Sequence, residues 1–211
     1  SDNVERVVVV DNLLSSEKEN LPSDIRVELI EDSIAAPSVL ELIPPRLDFV
    51  FHLATYHGNQ SSIHNPLADH DNNLITTLRL FHHLSEMENV SSVVYASAGC
   101  AVAEKTFDGA AATPEDSPVS LWMDSPYSIS KIVGEFYGNY YFRQTSLPFI
   151  AARFQNVYGP GEVLGAGSWR GTPATVWRNV VPTFVYRALR QKEVHLDGGG
   201  TATRDFIFVQ D

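Results

Sequence analysis

Short apolar runs alternate along the chain with longer stretches in which apolar positions return every three or four residues. Five runs are β-branched or aromatic-rich and bounded by turn residues or charge: RVVVVDN (6–12), RVELI (26–30), LDFVFHLA (47–54), VSSVVYASA (90–98) and PFIAARFQN (148–156). They read as buried strands. Between the third and fourth, residues 66–87 carry Leu74, Leu78, Phe81 and Leu84 at helical spacing. A second helix is expected from Ser125 to Phe142, with Ser125 as N-cap and Pro126 in the first helical position. Strands bounded by helices predict βαβ units and an α/β fold built on a doubly wound parallel sheet. Residues 104–123 and 159–176 are long and rich in Gly, Pro, Ala and Thr, and are expected as surface or lid loops.

Composition narrows the partners. A chain of 211 residues that is 44% hydrophobic can bury the core of one domain, or of a domain with a small annex. Fifteen basic against 26 acidic residues leave a net charge of -11, which argues against nucleic acid as a partner. Cys100 stands alone, so no internal disulfide can form and a reducing, cytoplasmic setting is expected. No apolar run approaches the roughly 18 residues of a membrane span, and no signal peptide opens the chain, so a soluble protein with no membrane partner is expected.

The candidate chemistry begins at the end of the first run. Asp11 closes a short apolar strand, where an acid can accept hydrogen bonds from an adenosine ribose and favours NAD over NADP. The glycine-rich phosphate loop that should precede such a strand is absent from this sequence, as are the first strand and first helix. In SPYSISKIVGEF (125–136), Tyr127 and Lys131 lie four apart on one helical face, which brings an ammonium beside a phenol. A neighbouring cation favours the phenolate, which could take a proton from a sugar or alcohol hydroxyl while hydride leaves for a nicotinamide. A single four-residue spacing recurs by chance, so the weight of the pair depends on its surroundings. The seven histidines show no zinc-ligand spacing and no metal is expected. Trp169, Arg170, Trp177 and Arg178 flank a loop where they could stack on or pair with a sugar, or simply pack.

Further segments supply those surroundings. In order along the chain, DNLLSSEKEN, EDSIA, FHLATYHG, NPLADHDNN, SPYSISK, RFQNVYGPG, RNVVPTFVYRAL and GGGTATRDFIFVQD resemble the extended short-chain dehydrogenase/reductases, and within them the nucleotide-sugar epimerases and dehydratases. The resemblance implies a Rossmann-like domain over 1–158, lacking its first βα unit, followed by substrate-binding segments and a return to the sheet over 159–211. It implies NAD as cofactor, contacted by Asp11, Asn12, Ser15, Ser33, Ile34, Leu53, Ala54, Thr55, Asn72, Tyr127, Lys131 and Phe154, with Ser33 standing where the family has an acid. It implies substrate contacts from His57, Asn156, Asn179 and Arg204, the last two toward a nucleotide diphosphate. It also implies a homodimer formed through the two long helices, and synthesis of an activated sugar for surface polysaccharide such as O-antigen.

One departure stands out. The family carries a Ser or Thr near the end of the strand before the Tyr-x-x-x-Lys helix, and Ala98 occupies that place here, with Ser97 one residue earlier. Three readings follow: Tyr127 meets the substrate hydroxyl directly, Ser97 or Thr55 fills in as a catalytic hydroxyl, or catalysis is impaired. Direct contact is preferred because the other segments are intact. The leading function is an NAD-dependent nucleotide-sugar epimerase, with a UDP-sugar as substrate. A 4,6-dehydratase is the alternative, opposed by Ala98, Gly99 and Cys100 where it needs an acid and a base. A nucleotide-sugar or NAD sensor without activity is the third.

Overall fold

The computed structural model describes residues 3–13, 16, 18–56, 58–99, 113–160 and 179–211. All strand pairings among them are parallel. Val7–Val10 (β1) pairs with Val27–Ile30 (β2). Leu47–His52 (β3), Val90–Ala98 (β4) and Phe149–Phe154 (β5) form a three-stranded sheet with β4 in the middle. Asn156–Tyr158 (β6) pairs with Phe206–Phe208 (β7). The five strands read from the sequence are all present. They do not join into one sheet, because β1 and β3 are not hydrogen-bonded to each other. In a doubly wound sheet of order 3-2-1-4-5-6 a break of this kind falls beside the first-strand position.

Register decides which side chains reach the helices. Val50, Val93 and Phe149 stand opposite one another on one face of the sheet, as do Phe51, Val94 and Ile150 on the other. The first face is the core. There Leu80, Phe81, Leu84, Val93, Tyr95 and Leu147 form one buried cluster, with the Phe81 ring edge-on to Tyr95 and to Phe149 at 5.7 and 5.4 Å between centroids. The second face is more open: Phe49, Phe51 and Ile150 are more than half exposed. The expectation of buried strands therefore comes closest in the central β4, where only Ser91 is exposed, and fails in β3, where Asp48, Phe49 and Phe51 are exposed. An edge strand covered on one face alternates inward and outward.

Between β2 and β3 lies the short helix Pro37–Leu40 (α1), whose Val39 is buried. Residues 66–85, read from the sequence as part of one regular helix, are helical throughout but change pitch. Gly58–His64 (α2) precedes Pro66–Asp69 (α3), a π-helical stretch His70–Ile75 follows, and Thr76–Ser85 (α4) completes the run. The wide turn coincides with buried polar residues drawn inward to the loop after β3, and π-turns are frequent where a helix is shaped around a site. Pro126–Thr145 (α5) begins as expected, Ser125 Oγ accepting from the Ser128 amide at 3.3 Å, and ends at Thr145, three residues later than predicted, with Ser146 as a left-handed C-cap. Val180–Leu189 (α6) lies ahead of the β7 return.

His52, at the end of β3, is buried between Phe81 and Tyr95 with its Nε2 2.8 Å from Thr77 Oγ1. Burial, and then the Lys131 charge, push its pKa down from 6.5 to about 3. A depressed folded-state value means that His52 stabilises the fold fully above 6.5, and that this stability is lost as the pH falls toward 3. Urea titrations should therefore show a loss of about 2 kcal/mol from this residue between pH 7 and pH 5. A His52→Gln variant should lose correspondingly less over the same interval.

Candidate active site

Helix α5 lies against the end of β4 at a distance that small residues permit. A Cβ at Gly134 would collide with the Tyr95 phenol, so only glycine allows this approach. One turn earlier Lys131, 3% exposed, donates from Nζ to the Ala96 carbonyl at 2.7 Å. Its Nζ stands 5.6 Å from the centroid of the Tyr127 ring and 5.2 Å from that of Tyr95. The two phenols differ in setting. Tyr95 is 1% exposed and burial raises its pKa, so it stays neutral, whereas Tyr127 sits half-buried at the opening turn of the helix. Two contacts fix that turn: Ser128 Oγ donates to Asp124 Oδ1 at 2.8 Å, and Asn59 Nδ2 donates to Asp124 Oδ2 at 3.1 Å.

A second constellation ties α5 to the loop after β3. Asp69, fully buried, accepts from Ser130 Oγ at 2.5 Å and from Asn73 Nδ2 at 2.6 Å. Burial raises its pKa, against the lowering effect of those two hydrogen bonds and of the Lys131 charge. Asn73 clamps the loop from both sides: its Oδ1 accepts from the Tyr56 amide at 2.5 Å and from Thr55 Oγ1 at 3.0 Å, and its Nδ2 donates to the Tyr56 carbonyl at 2.9 Å. Ser130 is the neighbour of Lys131, so one buried polar chain links the Tyr127–Lys131 helix to residues 55 and 56.

The residues singled out in the sequence gather at the carboxyl ends of the parallel strands, where open α/β sheets hold ligands. Asp11 closes β1, its Oδ1 accepting from the Leu13 amide at 2.8 Å and Ser16 Oγ at 2.9 Å, with exposed Asn12 in the same turn. Ser33 and Ile34 follow β2: Ser33 Oγ accepts from the Ala35 amide at 3.2 Å, and Ile34 packs against the core cluster. Leu53 and Ala54 are exposed beyond β3, and Thr55 is held by Asn73. Asn72 is half-buried in the π-helical stretch, its Nδ2 donating to the Ala68 carbonyl at 2.8 Å. Phe154, 44% exposed, stands opposite Ala98 at the ends of β5 and β4.

Ser97 shares the helix-facing side of β4 and donates to Glu135 Oε1 at 2.5 Å. Ala98 lies on the other side, so no hydroxyl of this strand end is bonded toward Tyr127 among the described contacts. The substrate-side residues form a separate group. Asn156 donates from Nδ2 to the Asp205 carbonyl at 2.9 Å, Arg204 is exposed beside it in sequence, and Asn179 caps the start of α6. Ser15, His57, Cys100, Trp169, Arg170, Trp177 and Arg178 lie outside the described residues.

A Tyr-Lys couple at the strand ends, with an acid closing β1, is the arrangement that the sequence resemblance implies. The NAD dependent epimerase/dehydratase family matches residues 1–211. The chain belongs to that family. It is 28% identical to a putative UDP-glucose 4-epimerase of Methanocaldococcus jannaschii over 97% of this chain and 62% of the relative. To the UDP-glucose 4-epimerase of Mycolicibacterium smegmatis it is 30% identical over the same shares. Among solved structures it resembles the Bordetella bronchiseptica enzyme WbmF in complex with NAD+ and UDP, with a TM-score of 0.83 and 54% identity over 98% of this chain and 58% of WbmF. It also resembles the UDP-glucose 4-epimerase of Thermotoga maritima with UDP-glucose, with a TM-score of 0.80 and 32% identity over 99% and 63%. The chain thus spans about three fifths of the length of these relatives.

Family membership places the doubly wound expectation on firm ground and leaves some neighbours of the couple unaccounted for by sequence. Asp69, Asn73, Ser130, Glu135 and Arg153 were not singled out in the sequence, although Glu135 follows Lys131 at the same four-residue spacing that marked Tyr127 and Lys131. Asn73 adjoins the predicted Asn72, but neighbouring helical residues point in different directions, Asn72 along its own helix and Asn73 to Tyr56.

Proposed function

We propose that this chain carries the NAD-binding and proton-transfer part of a nucleotide-sugar epimerase, with a UDP-sugar as substrate. The observation that carries the reading is the placement of the buried Lys131 ammonium, anchored on the Ala96 carbonyl and 5.6 Å from the Tyr127 ring centroid. A cation fixed at that distance favours the phenolate. Tyr127 then takes the proton of the sugar hydroxyl and later returns it.

The residues present suit the cofactor's ribose and nicotinamide sides. Asp11 closes β1, and exposed apolar Leu53 and Phe154 offer flat surfaces at the strand ends, while the glycine loop that would cradle the diphosphate is not in this sequence. NAD supplies the hydride acceptor, and returns the hydride when bound. Asn73 holds the Thr55–Tyr56 loop that would face the cofactor, and Lys131 keeps its Nζ on the Ala96 carbonyl beside the Tyr127 ring. Asn156 is proposed to contact the substrate, and Asn179 and Arg204 to meet its nucleotide diphosphate. The division into a nucleotide-binding part over 1–158 and substrate segments over 159–211 is part of the same reading.

The relatives named UDP-glucose 4-epimerase support the epimerase over a dehydratase, and the UDP complex of WbmF supports a uridine nucleotide. So does the sequence after β4, which reads Ala98, Gly99 and Cys100 where elimination would need an acid and a base. Incubation with a panel of UDP-sugars, followed by NMR of the products, should show an inverted sugar; a dehydrated keto sugar, or bound and unchanged ligand, would refute the reading.

The product fits supply of an activated sugar to a polysaccharide, O-antigen included, in the cytoplasm. Ile129, Phe136 and Tyr140 form an exposed stripe along α5, which supports a homodimer through the long helices. Sedimentation velocity should show a dimer that Phe136→Glu converts to monomer; a monomeric unaltered chain would refute it.

A further inference from the structure

Helix α5 carries a third polar residue on the face of Tyr127 and Lys131. Glu135 is 3% exposed, and both its oxygens are taken. Its Oε1 accepts from Ser97 Oγ at 2.5 Å and from Arg153 Nε at 2.9 Å, and its Oε2 accepts from the second Arg153 nitrogen at 2.7 Å. Arg153, one strand over on β5, donates its remaining terminal nitrogen to the Glu115 carbonyl at 2.6 Å. This is a bidentate fork, the geometry that gives an ion pair direction as well as strength.

Such a pair is a weak explanation of stability. Desolvation of two charges offsets most of their attraction, and apolar replacements are often neutral or better. Its place in the fold suggests another role. Consecutive turns of α5 are fastened to consecutive residues of β4: Lys131 to the Ala96 carbonyl, and Glu135 to the Ser97 hydroxyl. Gly134 lies between them against Tyr95, so the helix is close enough for both fastenings to be direct.

We propose that Glu135 and Arg153 are positioning residues for the Tyr127–Lys131 couple. The pair sets the rotation of α5 on β4, holds the Ser97 hydroxyl away from the reacting face, and neutralises the guanidinium so that Lys131 supplies the positive charge that Tyr127 feels. What Tyr127 does for a substrate rests on the function proposed above; the positioning itself does not.

Charged and titratable groups converge on this face from every packed element: Lys131 and Glu135 on α5, Tyr95 on β4, Asp69 on α3, His52 on β3 and Arg153 on β5. Losing one negative charge among them should be visible at Tyr127 without any substrate. The test titrates phenolate absorbance in the unaltered chain, in Glu135→Gln and in Glu135→Gln/Arg153→Met, subtracting from each the same protein with Tyr127→Phe. Glu135→Gln leaves the guanidinium uncompensated, so the Tyr127 midpoint should move down in pH, and the double variant should bring it back. With a UDP-sugar, Glu135→Gln should lower kcat roughly 10- to 100-fold while KM changes by less than about threefold.

Equal Tyr127 midpoints in the unaltered and Glu135→Gln proteins, both folded by circular dichroism, would overturn the proposal. Should Glu135→Gln fail to fold, Glu135→Asp keeps the charge and shortens the reach. It should lower kcat with the midpoint unmoved, and full activity in that variant would overturn the proposal equally. A shifted midpoint in a protein that turns over no UDP-sugar would refute the proposed function and leave the positioning role standing.

Discussion

Replacing Tyr127 by Phe should lower turnover of the nucleotide sugar by roughly 10³-fold or more, while the fold and the affinity for NAD stay close to those of the unaltered chain. The substitution removes one oxygen from a half-buried ring whose packing and Lys131 neighbour are otherwise kept. The size of the effect follows from the absence of a substitute among the described residues of the strand end. Tyr95 is fully buried with its phenol held neutral, and Ser97 donates its hydrogen bond to Glu135 rather than toward the reacting face. Ala98 has no hydroxyl to offer. Ser97→Ala should accordingly cost less than about tenfold in turnover. A Ser97→Ala protein as inactive as Tyr127→Phe would show that the serine relays the proton after all. Steady-state rates of the two variants at saturating substrate decide the matter.

The second large effect is on the fold of the site. Asn73→Leu should destabilise the protein by about 3 to 5 kcal/mol, read as the shift in urea midpoint at unchanged slope. Leucine fills similar volume but strips Asp69 of one of its two side-chain donors, and leaves the Tyr56 amide and carbonyl without the partner that binds both. A buried carboxylate that already pays for desolvation with a raised pKa would then be held by Ser130 alone among its hydrogen-bond partners described here. Its neighbour is the internal control. Among the described residues the Asn72 side chain bonds the Ala68 carbonyl one turn earlier, so Asn72→Leu should cost under about 1 kcal/mol in stability and should weaken NAD binding instead. Equal stability losses for the two asparagines would mean that the clamp on Tyr56 contributes little.

How much of this was legible in the sequence depends on the kind of interaction. Apolar periodicity located all five predicted strands and the α5 cap, since burial and capping are set by residues close in the chain. The openness of Phe49 and Phe51 was not legible, because a strand's apolar run does not say how many of its faces are covered. The Tyr127–Lys131 couple was visible as a spacing and gained meaning from the ordered segments around it. The network through Asp69, Asn73 and Ser130 was not, because it joins residues about 60 positions apart and depends on a π-turn that the regular helical pattern of residues 66–87 conceals. The same holds for Ser97 and Glu135, whose contact follows from the parity of β4 and the closeness that Gly134 allows.

The central claim is that Tyr127 moves a proton on oxygen while the sugar's carbon-bound hydrogen leaves and returns as hydride. Running the UDP-sugar reaction in deuterium oxide and examining the inverted carbon by NMR tests it directly. The account predicts inverted product with no deuterium at that carbon, since the hydrogen never exchanges with water. Stoichiometric deuterium at the inverted carbon would contradict it, because it would mean that the centre is inverted by removing and replacing a proton.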